Sequence, residues 1–214
     1  DVLRLLWSRR SFRLLVTAAS LNAFLIYGVG NWLPSFFLRT YDISIGELGT
    51  WLALSSGFGG GAGSFFGGWF GDRLGSRDRR WYLWLPAALI MILAPILYVA
   101  MTFGSMQLAL MLTAPFYFLT AAYLGPALAV SHTLVHQRMR ALTSAIVFFV
   151  INLVGMGLGP LSIGFLSDRL AAAGSDAPLA QAIVTIGVSV AVVTSITFLL
   201  AAKTLREDIA RLHE

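Results

Sequence analysis

The side chains of this sequence that could do chemistry are few and widely spaced. His132 and His136 lie four residues apart, a spacing that places two imidazoles on one face of a helix, where they could share a metal ion. Acidic residues are scarce nearby and no third ligand is evident, so we interpret them as an interfacial histidine pair and predict no metal site. The chain has no cysteine and no Gly-x-Ser-x-Gly elbow. We therefore predict neither a cofactor nor an enzymatic activity.

Asp72 is the acidic residue with the most informative neighbours. It stands in the stretch Gly68-Trp-Phe-Gly-Asp-Arg-Leu-Gly-Ser-Arg-Asp-Arg-Arg80, at the end of a long apolar segment. A carboxylate at a helix end can bind the N-terminus of a neighbouring helix and pair with an arginine. The alternative is a solvated basic loop that only sets the orientation of the chain.

The elements that would position these groups are six long apolar helices. Of the 214 residues, 57% are hydrophobic and only 12% are charged, and the mean hydropathy is +0.79. A soluble domain carries about 25% charged residues, so a water-soluble enzyme, a nucleic-acid-binding domain and a disordered regulator are excluded. About 20 apolar residues cross the hydrocarbon layer as a helix. Six uncharged segments reach that length, and we number these predicted spans one to six: Leu14–Leu38, Leu48–Phe70, Leu83–Phe103, Leu108–Val130, Ala141–Leu166 and Ala180–Ala202.

The basic residues indicate how these spans are oriented. Thirteen of the fifteen lie in the N-terminal arm, in the loops after spans two and four, and in the tail, against Arg39 and Arg169 on the other side. Cytoplasmic loops carry the excess of basic residues, so we predict that both termini are cytoplasmic and that the net charge of +5 is a topology signal. The arm, residues 1–13, is expected to lie along the interface or to be an ordinary positive flank. The tail, residues 203–214, is expected on the same side.

Small residues recur at four-residue spacing in spans two and five. In lipid, such faces let two helix backbones approach closely and pack by van der Waals contact. A phosphate-binding loop is the less favoured interpretation of the glycine run in span two, because no lysine follows it and no strand precedes it. The glycines expected at helix–helix contacts are Gly57, Gly61, Gly63, Gly67, Gly155 and Gly159.

A short internal similarity links the same two spans. Gly68-x-x-x-Asp72-Arg-Leu ends span two, and Gly164-x-x-x-Asp168-Arg-Leu ends span five, 96 residues later. Each of these spans is the second in a set of three consecutive spans, which we call a trio. Because each trio crosses the membrane an odd number of times, the two trios run in opposite senses, as in many transporters. We therefore predict an all-α membrane protein of two inverted three-helix repeats, residues 14–103 and 104–202.

The stretch from Gly68 to Arg80 resembles the signature loop of the major facilitator superfamily: a glycine, three residues, Asp-Arg, one residue, a glycine and then basic residues. Its place between the second and third helices of a six-helix bundle also fits. That family has twelve helices in two six-helix halves, and this chain is similar to the C-terminal half. Three further stretches resemble the spinster-like subgroup of lipid-type transporters: Trp32–Arg39, Arg138–Ala141 and Asn152–Pro160.

The resemblance implies half of a secondary active transporter, which moves a small, lipid-like or amphipathic solute by alternating access. Its partners would be membrane lipids, the small-molecule substrate and an N-terminal six-helix half, with no nucleic acid. Because the chain starts with Asp1 rather than Met, we expect a truncation; a half-sized transporter that pairs with a second copy is the other interpretation. A self-contained or homodimeric six-helix channel or membrane scaffold is the alternative from a different class.

The resemblance also implies roles for individual residues. The signature loop would be a cytoplasmic latch, made in one access state and broken in the other, and formed by Gly68, Asp72, Arg73, Gly75, Arg77, Arg138 and Arg140. The first helix of each trio would line a central cavity, with the polar candidates Asn22, Tyr27, Asn31, Tyr117, Thr120 and Tyr123. Hydrogen bonding between helices explains these six residues equally well, because polar groups at membrane depth need partners or water. No ionisable group other than tyrosine lies within the spans, so a coupling carboxylate would belong to the missing half.

Overall fold

The computed structural model describes residues 6–210, and all of the regular structure in that range is helical. The α-helices are α1 (Arg10–Thr40), α2 (Ile45–Leu54), α3 (Gly60–Gly75), α4 (Trp81–Thr102), α5 (Met106–Ala121), α6 (Leu124–Thr133), α7 (Arg140–Ala172) and α8 (Pro178–Ala210). A π-helical turn, Ser55–Gly59, joins α2 to α3, and a 3₁₀ turn, Gln137–Met139, precedes α7. The all-α fold is confirmed. Arg4 and Arg211, with the outer parts of the arm and tail, lie outside the described residues.

Five helical segments within residues 6–210 are long and apolar enough to cross a membrane. They correspond to predicted spans one, three, four, five and six, with α5 and α6 together forming span four. Span two is also helical from Ile45 to Gly75, but the π-turn divides it into α-helices of 10 and 16 residues. Each is shorter than the roughly 20 residues that a span requires. Span two is therefore a helix with a π-turn in its course.

Glycine and proline explain where several helices end. Gly104 and Gly174 have φ of +76° and +83° and let the chain turn directly after α4 and α7. Between α5 and α6 the α-helix is interrupted at Ala122 and Tyr123. The cause is Pro126, which has no N–H with which to bond the carbonyl of Ala122.

The long helices pack in a defined set of pairs. α1 lies along both α7 and α8, α8 lies along α4, and α3 lies along α5. Buried apolar side chains form two clusters, one around Phe36 and Phe37 and the other around Phe12 and Phe198. The second cluster lies towards the end of the bundle that carries the loop 76–80 and the last turns of α8, which we call the basic end.

The first and last helices are joined at the basic end by a buried carboxylate. The backbone N–H of Ser11, in the first turn of α1, donates to Oδ2 of Asp208 at 2.7 Å. Asp208 belongs to the last turns of α8 and is only 3% exposed. A negative charge is favourable at the N-terminus of a helix, where backbone N–H groups have no partner within the helix. We call this contact the Ser11–Asp208 clasp.

Candidate functional site

The loop between α3 and α4 is held by a close contact between glycine and tyrosine. The ring of Tyr82 lies against Gly75, where a Cβ atom would overlap it, and its hydroxyl donates to Oδ1 of Asp72 at 3.0 Å. A residue larger than glycine at position 75 would therefore displace the ring of Tyr82. Gly68, one turn before Asp72, lies beside Gly125 at the start of α6.

Asp78 is the acidic residue around which the charges of the basic end are arranged. Its Oδ2 lies 2.9 Å from Nη2 of Arg80 and 2.9 Å from Nη2 of Arg206, near the end of α8. The backbone N–H of Arg80 also donates to Oδ1 of Asp78 at 3.0 Å. Hydrogen bonds from Arg80, helped by the charge of Arg206, lower the pKa of Asp78 to about 2. The arginine is itself oriented, because its guanidinium lies 4.5 Å from the ring centre of Trp84.

An ion pair between Asp72 and Arg138 or Arg140, the partners that the resemblance implies for the latch, is absent from the described residues. Both ion pairs found among residues 6–210 use Asp78, and neither joins Asp72 to Arg138 or Arg140. Arg73 instead lies over the ring of Trp69, with 5.7 Å between the guanidinium carbon and the ring centre. The remaining members of the expected latch, Arg77, Arg138 and Arg140, are exposed.

Of the polar residues expected to line a cavity, two are committed to bonds inside the bundle. Asn22 is fully buried, and its Nδ2 donates to the carbonyl oxygen of Thr120 at 2.9 Å. The hydroxyl of Thr120 donates to the carbonyl oxygen of Phe116 at 2.7 Å, within its own helix. Tyr123 is also buried. The interpretation as hydrogen bonding between helices therefore suits Asn22, which links α1 to α5.

Other members of the same set lie nearer the surface of the bundle. Tyr27 and Tyr117 are half-buried, and Asn31 is exposed. The hydroxyl of Tyr27 donates to Oδ1 of Asn152 on α7 at 2.9 Å. Asn152 is not among the residues that the resemblance implies for the cavity, although an amide in the middle of an apolar span is itself a signal of a polar contact.

Glycines bring α3 and its preceding π-turn against α5. A Cβ atom on Gly59 would lie 2.6 Å from the carbonyl oxygen of Ala114, and one on Gly63 would overlap the carbonyl of Phe118. Gly67 lies equally close to the backbone of Ala122. Any larger residue at these positions would push the two backbones apart.

The corresponding contact on the other side of the bundle brings α7 against α1. A Cβ atom on Gly155 would lie 2.8 Å from Cβ of Ala23, and one on Gly159 would lie 2.8 Å from the carbonyl oxygen of Phe24. The indole N–H of Trp32 on α1 donates to the carbonyl oxygen of Pro160 on α7 at 2.8 Å.

Gly57 and Gly61 differ from the other glycines expected at helix contacts. A Cβ atom on either would meet no atom within 4 Å in the described part of the chain. Within the described chain these two glycines therefore have no packing partner, and a helix contact at them stays a prediction. The reason is geometric, because span two carries two glycine stripes with four-residue spacing, and only the stripe of Gly59, Gly63 and Gly67 faces α5.

His132 is positioned by a hydroxyl rather than by a second imidazole. Its Nε2 lies 2.7 Å from Oγ of Ser144, which links the end of α6 to the first turns of α7. No group of three or more potential ligands for a metal ion occurs among residues 6–210.

Comparison with known proteins shows what this chain is similar to. No protein-family model matches the chain. An MFS-type efflux pump of Mycolicibacterium smegmatis (strain ATCC 700084 / mc(2)155) is 31% identical over 199 residues, which is 93% of this chain and 46% of that protein. The chain thus spans about half the length of this relative.

Two crystal structures of a bacterial homologue of the human lysosomal transporter Spinster have a similar fold. The inward-facing, occupied structure matches 94% of this chain and 49% of its own with a TM-score of 0.65, and the inward-facing, unoccupied structure matches 97% and 49% with a TM-score of 0.69. Both are 24% identical to this chain, a likeness of fold. The expected resemblance to a major facilitator transporter is confirmed: the chain is similar in sequence to part of an MFS-type efflux pump and in fold to part of a Spinster homologue. It is an integral, multi-pass membrane protein.

Proposed function

We propose that this chain works as the C-terminal six-helix half of a secondary active transporter, and that it moves a small amphipathic solute by alternating access. The observation that carries the proposal is the 31% identity to an MFS-type efflux pump over 93% of the chain. Because the match covers 46% of that protein, transport would require a second half, either an N-terminal partner or another copy. Transport is favoured over catalysis because the relatives named above are transporters.

The packing of the glycines supports two inverted repeats. The offset of 96 residues that relates Asp72 to Asp168 also relates Gly59 to Gly155 and Gly63 to Gly159. Gly59 and Gly63 pack against α5, the first helix of the second trio. Gly155 and Gly159 pack against α1, the first helix of the first trio. Equivalent helices in the two trios therefore make equivalent contacts, which is what an inverted repeat requires.

We propose that the solute contacts the accessible residues among the six polar side chains expected to line a cavity. Tyr27, Asn31 and Tyr117 are accessible, and Tyr27 already bonds to Asn152 across the α1–α7 contact. Asn22 is unsuited to this role, because it is fully buried and bonded to Thr120. A solute that carries both an apolar part and one hydrogen-bonding group fits tyrosine and asparagine side chains on an otherwise apolar surface.

We propose that the signature loop is the latch of the basic end and that this end faces the cytoplasm. The excess of arginine there supports the orientation. Within the chain the loop is braced by Asp78, Arg80 and Arg206. Asp72, which takes one hydrogen bond from the hydroxyl of Tyr82, is thereby presented at an exposed position for a partner in the other half.

The test is solute flux into proteoliposomes that contain the whole transporter. We expect saturable uptake of a fluorescent lysophospholipid or a lipophilic drug, and a reduction of about tenfold in the Asp72→Asn variant, the effect of losing one charge-assisted hydrogen bond. The exposed carboxylate of Asp42, at the other end of the bundle, supplies the matched control Asp42→Asn.

The outcomes separate the proposals. Flux no faster than in protein-free liposomes would contradict transport of these solutes, and unsaturable ion leak would favour the six-helix channel. Normal flux in Asp72→Asn would contradict the latch alone. Crosslinking of the purified chain in detergent tests the homodimeric alternative, which a strict monomer would exclude.

A further inference from the structure

A cavity at the basic end is lined mainly by positive and hydrogen-bonding side chains. Its volume is about 340 Å³, within the range of roughly 300–1,000 Å³ that is usual for small-molecule sites. The polar side chains that line it are those of Arg79, His132, Thr133, His136 and Arg140. We call this cavity the basic pocket.

Two separate parts of the chain bring these polar side chains together, the loop before α4 and the stretch from the end of α6 to the start of α7. Arg79 comes from the loop before α4, His132 and Thr133 from the last turn of α6, His136 from the loop that follows, and Arg140 from the start of α7. The hydrogen bond between His132 and Ser144 fixes the end of α6 to α7. The pocket is therefore a product of the tertiary fold and not of one basic run in the sequence.

The two arginines of the basic pocket lack a negative partner within the described chain. No acidic residue between positions 6 and 210 lines the cavity. The nearest acid in sequence, Asp78, is paired with Arg80 and Arg206. Neither Arg79 nor Arg140 forms an ion pair with any residue between 6 and 210. Two uncompensated guanidinium groups at one cavity create a local positive potential that attracts an anion.

We infer that the basic pocket binds a phosphate group. A guanidinium presents a planar fork of N–H donors that matches phosphate oxygens, and imidazole and hydroxyl groups add further donors. The buried side chain of Val135 gives the cavity an apolar wall beside these donors. The basic pocket is separate from the polar residues proposed to contact the solute, so the inference does not depend on the transport proposal.

The phosphate can come from a phospholipid headgroup of the adjacent leaflet or from a soluble phosphate compound. To distinguish these sources, we would measure the thermal unfolding of the detergent-purified protein with increasing inorganic phosphate. A second arm would count the lipids that remain bound, by native mass spectrometry, in the presence of phosphatidylglycerol or phosphatidylcholine. The variants are Arg79→Gln and Arg140→Gln. Lys203→Gln removes one exposed positive charge that does not line the pocket, and is the matched control.

We expect wild-type protein and Lys203→Gln to bind the anion equally, and each arginine variant to bind it about tenfold more weakly. Selective retention of phosphatidylglycerol assigns the pocket to a lipid headgroup, whereas a response to inorganic phosphate alone assigns it to a soluble phosphate. Equal binding by all variants, or no preference of the wild-type protein for phosphate or phosphatidylglycerol over chloride and phosphatidylcholine, would overturn the inference. Arg79→Lys and Arg140→Lys retain the charge and test whether a glutamine variant has failed through misfolding.

Discussion

At the scale of single residues, the charges of the basic end are what the sequence describes least well. The signature loop directs attention to Asp72, yet in the structure Asp72 accepts one hydrogen bond from the hydroxyl of Tyr82, while Asp78 makes the ion pairs. A motif gives positions along the chain, whereas the partner of a carboxylate depends on which helix end lies opposite. Here the end of α8 brings Arg206 to Asp78 across 128 residues of sequence. From residue types alone, Asp78 is one acid among several arginines.

The same limit applies to the polar residues of the spans. The spacing of Asn22 and Tyr27 on α1 is compatible both with a cavity wall and with bonds to a neighbouring helix. The structure separates them, because Asn22 is enclosed against Thr120 whereas Tyr27 stays accessible beside Asn152. Only the relative rotation of the helices, which a single span does not encode, could decide between the two.

Asp78 gives a prediction of pH dependence. Its pKa is about 2 in the folded protein, below the ordinary value of 3.8, so its stabilising effect is complete above pH 4 and is lost as the pH falls from about 4 to 2. We expect Asp78→Asn to lower the unfolding temperature at pH 6, and the difference from wild type to shrink across that window. Tryptophan fluorescence during heating measures both proteins.

Two comparisons make this prediction specific to the ion pairs. Arg206→Gln should reproduce part of the effect, because it removes the contribution of the second arginine. Asp42→Asn, which changes a carboxylate without an ion pair in the described chain, should leave the unfolding temperature unchanged. A difference between wild type and Asp78→Asn that stays constant from pH 6 to pH 2 would contradict the proposed linkage.

At the scale of elements, five spans follow directly from the sequence because an uncharged run of the necessary length has few other stable solutions in lipid. Their ends are less well predicted: α1 starts at Arg10 rather than Leu14, and α7 continues past Leu166 to Ala172. Charged residues stop the crossing of the hydrocarbon layer, but they do not stop a helix. The π-turn in span two has no counterpart in the hydrophobic pattern, because it depends on how that helix meets α5.

The glycine stripes of span two allow a paired test. Gly63→Val places side-chain atoms against the backbone of α5, which cannot move aside as a flexible side chain would, and overpacking of this kind costs about 1–3 kcal/mol. Gly61→Val, two residues earlier on the same helix, points into space that the described chain leaves open. We expect a clear loss of thermal stability in the first variant and little change in the second.

This comparison also has a counterpart on α7. Gly159→Val should destabilise the protein through the backbone of α1, and Gly157→Val should not. Equal losses for Gly61→Val and Gly63→Val would mean that the open stripe is packed in the purified protein, for instance against another half or a second copy.

At the scale of the whole molecule, five of the spans and the family resemblance are readable from the sequence, whereas the pairing of helices is not. Nothing in the order of the spans indicates that α1 lies between α7 and α8, or that α3 lies along α5. These pairs are set by where the glycines allow close approach and where large side chains fill the remaining space.

The proposed orientation can be tested because the chain has no cysteine of its own. Single cysteines at Ser76, in the loop of the basic end, and at Ala173, in the turn after α7, are both exposed positions. In intact cells, a membrane-impermeant thiol reagent should label Ala173→Cys at once and Ser76→Cys only after the membrane is permeabilised. The reverse pattern would contradict a cytoplasmic basic end.

The Ser11–Asp208 clasp has a consequence for the order of biosynthesis. The two residues are 197 positions apart, so the ribosome releases the first turn of α1 long before the carboxylate that completes it exists. Until the last helix arrives, the first one begins with an unsatisfied N–H group. Insertion of α8 is therefore the event that supplies the acceptor, and a nascent chain halted before Asp208 leaves the first turn of α1 without it.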